Sequence, residues 1–387
     1  MGYGKEMKNF DRKRIIFVTG TRADYGKMKS LMQMLELSDW FDAFIFVCGM
    51  HLSKNFGSTY EEVIKDGYKN VHVAYGLKQS TDTSVNLGNT ISYLSGYVDS
   101  IEPDMIIVHG DRMDALAGAI VGALHNIMVA HIEGGELSGT IDESIRHAIS
   151  KFAHVHFVCT EEAGERLIQL GEESSRIHVI GSPDIDIMMS KDLPSLESSK
   201  SRYDIDFDSY GILMYHPVTT EYDLLSGKIK NVVEAIIESK QNYIIIYPNN
   251  DLGSEVILHE YERFASLPRF RIFPSLRFEH FLTLLKNADF IIGNSSAGVR
   301  EAGIYGVPAI DIGTRQNGRY NQSTSKNIIH TNENVDQIKM AIESSGVHAF
   351  ETHLFGDGNS TMRFYEIISD ADFWNTKIQK HFVDFQM

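Results

Sequence analysis

Short, uninterrupted apolar runs alternate with longer amphipathic stretches along nearly the whole of this 387-residue chain, and that alternation constrains its fold more than any single motif. Ile15–Val18, Phe44–Val47, Val71–Ala74, Met105–Val108, Met128–Ile132, Val155–Cys159 and Ile177–Ile180 are too short for helices and read as strands covered on both faces. Lys27–Leu37, Ala115–Leu124 and Ser144–Phe152 lie between them with helical spacing. The pattern predicts β-α-β units and a parallel, doubly wound sheet. Ser182–Asp208 breaks it with two prolines and several serines, which predicts a linker with a short helix around Asp186–Ser190. Strand-like runs then resume at Ile212–Tyr215, Tyr243–Tyr247, Arg271–Phe273, Phe290–Ile292, Ala309–Ile312 and Asn327–His330, with helical patterns at Val232–Ser239, His280–Lys286 and Val335–Ser344. The expected fold is α/β, with two Rossmann-like doubly wound domains, 1–182 and 183–363, facing a cleft. The aromatic, helically spaced tail 364–387 is expected to pack back on the first domain.

Charge narrows the function. Lys and Arg number 36 against 52 Asp and Glu, a net charge of −16, which disfavours nucleic acid as a partner. An anionic ligand would have to be held by a few well-placed cations against the global field. Cys48 and Cys159 follow apolar runs and read as buried thiols of a reducing compartment, not a disulfide. Met1-Gly2 opens like an acylation site, but Glu6 occupies the position that would need Ser or Thr. With no leader-like apolar core and no run of membrane-spanning length, the expectation is a cytoplasmic protein with no membrane partner.

In open α/β sheets, ligands sit beyond the carboxyl ends of the strands, so the polar residues following each strand are the candidates. The first strand leads into Thr19-Gly20-Thr21-Arg22-Ala23-Asp24-Tyr25-Gly26-Lys27, a turn whose backbone N–H groups and cations suit an anion. An ordinary strand–helix turn with solvated charges fits the pattern equally. Asp111 and Arg112 follow the fourth strand in His109-Gly110-Asp111-Arg112. Glu133 follows the fifth beside Gly134 and Gly135, glycines that permit close approach of a substrate or of backbone. Asp142 and Arg146 stand four apart at a helix start and share a face; the plainer reading of Asp142 is an acid serving the helix dipole. Convergence of Asp111, Glu133 and Asp142 at one spot would prepare general acids and bases.

The second domain offers His216 before Pro217 at its first strand end; a lone His is more often structural than catalytic, but this one sits where a cleft residue should and suits proton transfer near neutral pH. Gly293-Asn294-Ser295-Ser296-Ala297-Gly298 ends a later strand; its serines could hold a diphosphate, cap a helix, or do both. Glu301 lies within plausible reach of ribose hydroxyls, and Arg315 adds a cation after the next strand. Asp184 and Asp186 superficially match a metal-binding acid pair but sit at a helix start in the linker, and no His/Cys cluster has zinc spacing. No metal site is expected.

The run His131-Ile-Glu-Gly-Gly-Glu-Leu-Ser-Gly-Thr-Ile-Asp-Glu-Ser-Ile-Arg-His147 resembles the hydrolysing UDP-N-acetylglucosamine 2-epimerases of sialic acid biosynthesis. Arg22–Lys27, His109–Arg112, His216–Thr220 and Gly293–Glu301 match the same family in order. Non-hydrolysing relatives share His-Ile-Glu but typically continue Ala-Gly-Leu-Arg, which this chain does not. The resemblance implies a glycosyltransferase-B type fold. It implies catalytic roles for Asp111, Glu133, Asp142 and His216. It also implies UDP-sugar contacts by Arg22, Lys27, Arg112, Arg146, Asn249, Ser295, Ser296, Glu301 and Arg315.

The implied reaction converts UDP-N-acetylglucosamine and water to N-acetylmannosamine and UDP. UDP leaves C1, the proton at C2 is lost to give 2-acetamidoglucal, water adds at C1, and a proton returns to the other face of C2. It needs no cofactor, and metal is expected to be dispensable. The resemblance also implies a homodimer or homotetramer. Three rival readings are the same reaction on UDP-2,4-diacetamido-2,4,6-trideoxyglucose, a glycosyltransferase of the same fold, and a non-catalytic UDP-sugar sensor.

Overall fold

The computed structural model describes residues 12–384 apart from 55–56, 81, 139–140, 250 and 321–324. The acylation reading at Met1-Gly2 and two residues of the longest motif, Gly139 and Thr140, lie outside the described residues. By packing, the chain divides into two compact units. The first takes the described residues through Glu136, Ser144–Asp186 and the segment from Gly356 on; the second takes Leu137–Glu143 and Ile187–Phe355.

The first unit is built on β1 (Lys13–Thr19), β2 (Phe41–Val47), β3 (Val71–Val73), β4 (Met105–His109), β5 (Met128–Ile132), β6 (Val155–Val158) and β7 (Ile177–Val179). These pair in the order β3-β2-β1-β4-β5-β6-β7, every ladder parallel. The second contains β8 (Gly211–Met214), β9 (Tyr243–Ile246), β10 (Phe270–Phe273), β11 (Phe290–Gly293), β12 (Ala309–Ile312) and β13 (Ile328–Thr331), in the order β10-β9-β8-β11-β12-β13, again all parallel. The fold class is the doubly wound one expected. β4, β5, β6, β9, β11 and β12 are buried at every position, as their unbroken apolar runs require.

Strand order reverses between β1 and β4 in the first sheet and between β8 and β11 in the second. At such switch points the loops leave in opposite directions and open a crevice at the carboxyl ends. Thr19–Arg22 and His109–Arg112 flank the first crevice; His216 and Gly293–Ser296 flank the second.

Two expectations need correction. The region 182–208 is not a plain linker: helices Pro183–Met188 and Leu196–Arg202 occupy it. Pro183 is the first residue of its helix, where a missing N–H costs nothing, and Ser195 caps the other by accepting from the Ser198 N–H. The tail is not helical to Phe382. A helix covers Ser360–Ile368, its first N–H groups donating to the Asp186 carboxylate at 3.0 and 2.6 Å, and a 3₁₀ turn follows at Ala371–Asn375. Phe364, Ile368 and Phe373 join the apolar cluster of the first sheet, where Phe364 meets Phe157 edge-on at 4.9 Å.

Candidate active site

In the first unit, the turn after β1 directs several of its N–H groups to a side chain of its own. Thr21 and Asp24 form a capping box that starts the helix Arg22–Glu36. The Asp24 carboxylate accepts from the N–H groups of Gly20 at 2.9 Å, Thr21 at 2.8 Å and Tyr25 at 2.7 Å, and from the Thr19 hydroxyl at 2.9 Å. For these N–H groups the turn's anion is the chain's own, the ordinary strand–helix arrangement that the pattern also allowed. Arg22 pairs with Glu62 through two N–H groups.

Lys27, one turn further on, is buried, its ammonium 3.3 Å from Glu133 and 3.7 Å from Asp184. Glu133 leaves β5 with φ of +63°, the left-handed region that a non-glycine residue rarely enters. Such strain persists only where surroundings over-determine it, and it concentrates at functional positions. Here Lys27, the Ser182 hydroxyl at 3.2 Å and His109 Nε2 at 3.2 Å all meet Glu133 Oε1. Gly135, also left-handed at φ +75°, lies where any Cβ would come 2.1 Å from the Ala163 carbonyl oxygen.

Asp111 follows Gly110, at φ +74°, and is held by Arg146 from the helix Ile141–Phe152. The same guanidinium donates to the Glu133 carbonyl oxygen at 2.6 Å, so one buried cation links the ends of β4 and β5. His131 completes the link. Its Nε2 donates to the Gly110 carbonyl at 2.8 Å, and its Nδ1 accepts from the Ser150 hydroxyl at 3.0 Å. Burial holds His131 neutral, its pKa pushed down to about 3. Arg112 precedes the helix Met113–Leu124 and reaches Met50 Sδ at 4.0 Å. Asp111 and Glu133 are thus each neighboured by a cation, Arg146 for the first and Lys27 for the second.

The third carboxylate, Asp142, is counted with the second unit and meets Arg315 at 3.8 Å. In the same unit, Asn294 clamps His216. Its Oδ1 accepts from the His216 N–H at 2.6 Å, and its amide donates to the His216 carbonyl at 2.8 Å. Asn249 donates its backbone N–H to His216 Nδ1 at 3.0 Å, which places the proton of a neutral ring on Nε2. Arg315 and Gln316 both donate to the Asn294 carbonyl, at 3.3 and 2.7 Å. Ser295 caps the short helix Ser296–Val299, accepting from the Ala297 N–H at 3.3 Å. Glu301 is buried at the start of the next helical turn, after Arg300 interrupts the first.

Sequence reasoning missed Asn294, Ser182 and Asp184. Asp184, set aside as a linker acid, has 1% of its side chain exposed and faces Lys27. Asn294 and Ser182 each follow a strand, the one signal that could have marked them. Among the described residues, Glu133, Glu136 and Cys159 bring one donor atom each within 4.8 Å of one another. The Lys27 ammonium already neutralises Glu133 there.

A family model for UDP-N-acetylglucosamine 2-epimerase matches residues 33–369. The chain is 48% identical to a UDP-N-acetylglucosamine 2-epimerase of Neisseria meningitidis serogroup B, covering 97% of this chain and 100% of that protein. It is 33% identical to the UDP-N,N'-diacetylbacillosamine 2-epimerase (hydrolyzing) of Legionella pneumophila, over 92% and 95% of the two chains. Its fold matches a crystal structure of a UDP-GlcNAc 2-epimerase from Neisseria meningitidis bound to UDP-GlcNAc, with TM-score 0.78, 19% identity and coverage of 92% and 99%. The matched length, the order of the motifs and the two parallel sheets agree, and the chain belongs to the UDP-N-acetylglucosamine 2-epimerase family.

Proposed function

We propose that this protein is a hydrolysing UDP-N-acetylglucosamine 2-epimerase that forms N-acetylmannosamine and UDP, the opening step of sialic acid synthesis. The observation that carries the reading is the 48% identity to the Neisseria epimerase over the full length of that protein. The Gly-Gly-Glu run after His131-Ile-Glu133 supports the hydrolysing form.

The hard step is removal of the C2 proton, which no carbonyl acidifies. Departure of UDP from C1 builds positive charge on the ring and makes that proton removable, giving 2-acetamidoglucal. Hydration at C1 with protonation of the opposite face at C2 then completes the inversion. In this reading Asp111 and Glu133 serve as base and acid on the two faces, each tuned by its cation, and Asp142 stabilises the cationic ring. His216, carrying its proton on Nε2, donates to the departing oxygen. Arg315 and the serines 295 and 296 hold the diphosphate. Arg22 joins them only by exchanging Glu62 for the ligand. No step calls for a redox cofactor.

Proton NMR with UDP-N-acetylglucosamine in D₂O and EDTA tests this. Free N-acetylmannosamine deuterated at C2, with an equal amount of UDP, is expected; UDP-N-acetylmannosamine would overturn the hydrolysing assignment. The second reading is the same chemistry on a UDP-diacetamido-trideoxy sugar, favoured by the 33% identity to the Legionella enzyme. An unchanged spectrum with the first substrate and turnover of the second would select it.

A further inference from the structure

We propose that Lys380, in the C-terminal tail, is a positioning residue for Asp111 and Glu133, acting by capping the helix that carries Arg146 and Ser150. The helix Ile141–Phe152 ends without a glycine cap, so its last carbonyls need another partner. Lys380 supplies it. Its ammonium donates to the carbonyl oxygens of Ser150 at 3.2 Å, Lys151 at 3.1 Å and Ala153 at 2.6 Å. A cation is also the charge that this end of a helix dipole favours.

The ammonium is fixed from its other side. Glu172, with 1% of its side chain exposed, forms ion pairs with Lys380 at 2.5 Å and Lys151 at 2.8 Å and accepts from His156 Nε2 at 3.1 Å. Upstream, the tail is pinned by aromatic contacts of Phe373 with Phe157 and of Trp374 with Phe41, and by Arg176, which donates to the Lys377 carbonyl at 3.1 Å. The capped end of the helix thus has a defined position relative to β6 and β7.

From that end two routes lead to the candidate site. Ser150 hydrogen-bonds His131, which holds the Gly110 carbonyl immediately before Asp111. Arg146, one turn back on the same face, holds Asp111 and the Glu133 carbonyl. A shift of the helix end moves both anchors together. Displacements of about 1 Å at reacting groups can cost on the order of a hundredfold in rate.

The proposal rests on the epimerase reading only for its activity readout. Full-length wild type, K380M and K151M are compared for kcat and KM with UDP-N-acetylglucosamine. Lys151 also meets Glu172 but caps no carbonyl of its own helix. K380M is expected to lose about tenfold or more in kcat with KM within about twofold, while K151M keeps wild-type kcat. Wild-type kcat in K380M overturns the proposal, and so does an equal loss in K151M, which would assign the effect to charge at Glu172. If K380M is insoluble, K380R is read instead: its flat fork cannot converge on three carbonyls, so a lowered kcat supports the proposal and an unchanged one overturns it. Failure of the wild type itself would count against the proposed substrate and not against the cap. Hydrogen exchange across residues 141–152 then decides: faster exchange in K380M than in K151M sustains the proposal, and equal exchange overturns it.

Discussion

Arg146 has 2% of its side chain exposed while the Asp111 carboxylate that it pairs keeps 18%, so the cation is structural cargo of the interior and the acid faces outward from it. Removing the cation would take from Asp111 the charge that Arg146 supplies and from the Glu133 carbonyl its donor. R146M is expected to destabilise the protein by about 1–3 kcal/mol, the range for leaving a buried carbonyl without its donor, because the acid left behind is partly exposed. R146K keeps the charge but cannot reach Asp111 and the Glu133 carbonyl together, so it should fold and still lose activity. Urea midpoints and kcat on both variants check this, and full activity in R146K would show that the fork is unnecessary.

Glu133 separates chemistry from folding. E133Q keeps the shape and can still accept from Lys27 and Ser182. It is expected to fold with a thermal midpoint near that of wild type and to lose about 10²–10⁴ in kcat, the range for a single acid–base group. Near-normal turnover would remove Glu133 from the mechanism.

Glycines should respond oppositely according to their surroundings. A Cβ on Gly293, at φ +132°, would stand 2.0 Å from the Met214 carbonyl oxygen, where backbone must shift. A Cβ on Gly227, within the helix Tyr222–Glu238, would meet nothing within 4 Å. G227A is therefore expected to stabilise by about 0.5–1 kcal/mol and G293A to destabilise by more than that, as measured by chemical unfolding.

Stability should fall on mild acidification. Burial pushes His51 down to about 4, His131 to about 3 and His154 to about 4, from an ordinary value of 6.5. Between those limits the unfolded chain binds these protons and the folded chain does not, so stability is complete above about 6.5 and drains as pH falls toward 3–4. Each ring contributes a slope of up to about 1.4 kcal/mol per pH unit. Urea midpoints at pH 7.5, 6 and 5 should decline together; a flat profile would mean that these rings are protonated in the native state.

The strands were legible because their signal is local: a strand buried on both faces must be apolar at every position, and β5 and β12 coincide with their runs. Helix starts were not, because the first turn is polar. Arg22–Glu36 begins at a Thr21/Asp24 box, ahead of the first clear periodicity. The same box was visible as Thr-x-x-Asp and would have shown where the turn's N–H groups go. Positions after strands marked Asp111, Glu133 and His216. Pairings across long sequence distances left no local trace: Lys27 with Asp184, Asp142 with Arg315, and Lys380 with the helix end at Ala153.

The first unit closes its apolar sheet face with residues from Gly356 onward, after the whole segment Ile187–Phe355 of the second unit. During synthesis, Phe157 must therefore wait for Phe364 and Phe373 while the intervening chain is made, on the order of tens of seconds at ~5–20 residues per second. The unit that is synthesised first is the one completed last, and the interval leaves an uncovered apolar surface for a chaperone to shield.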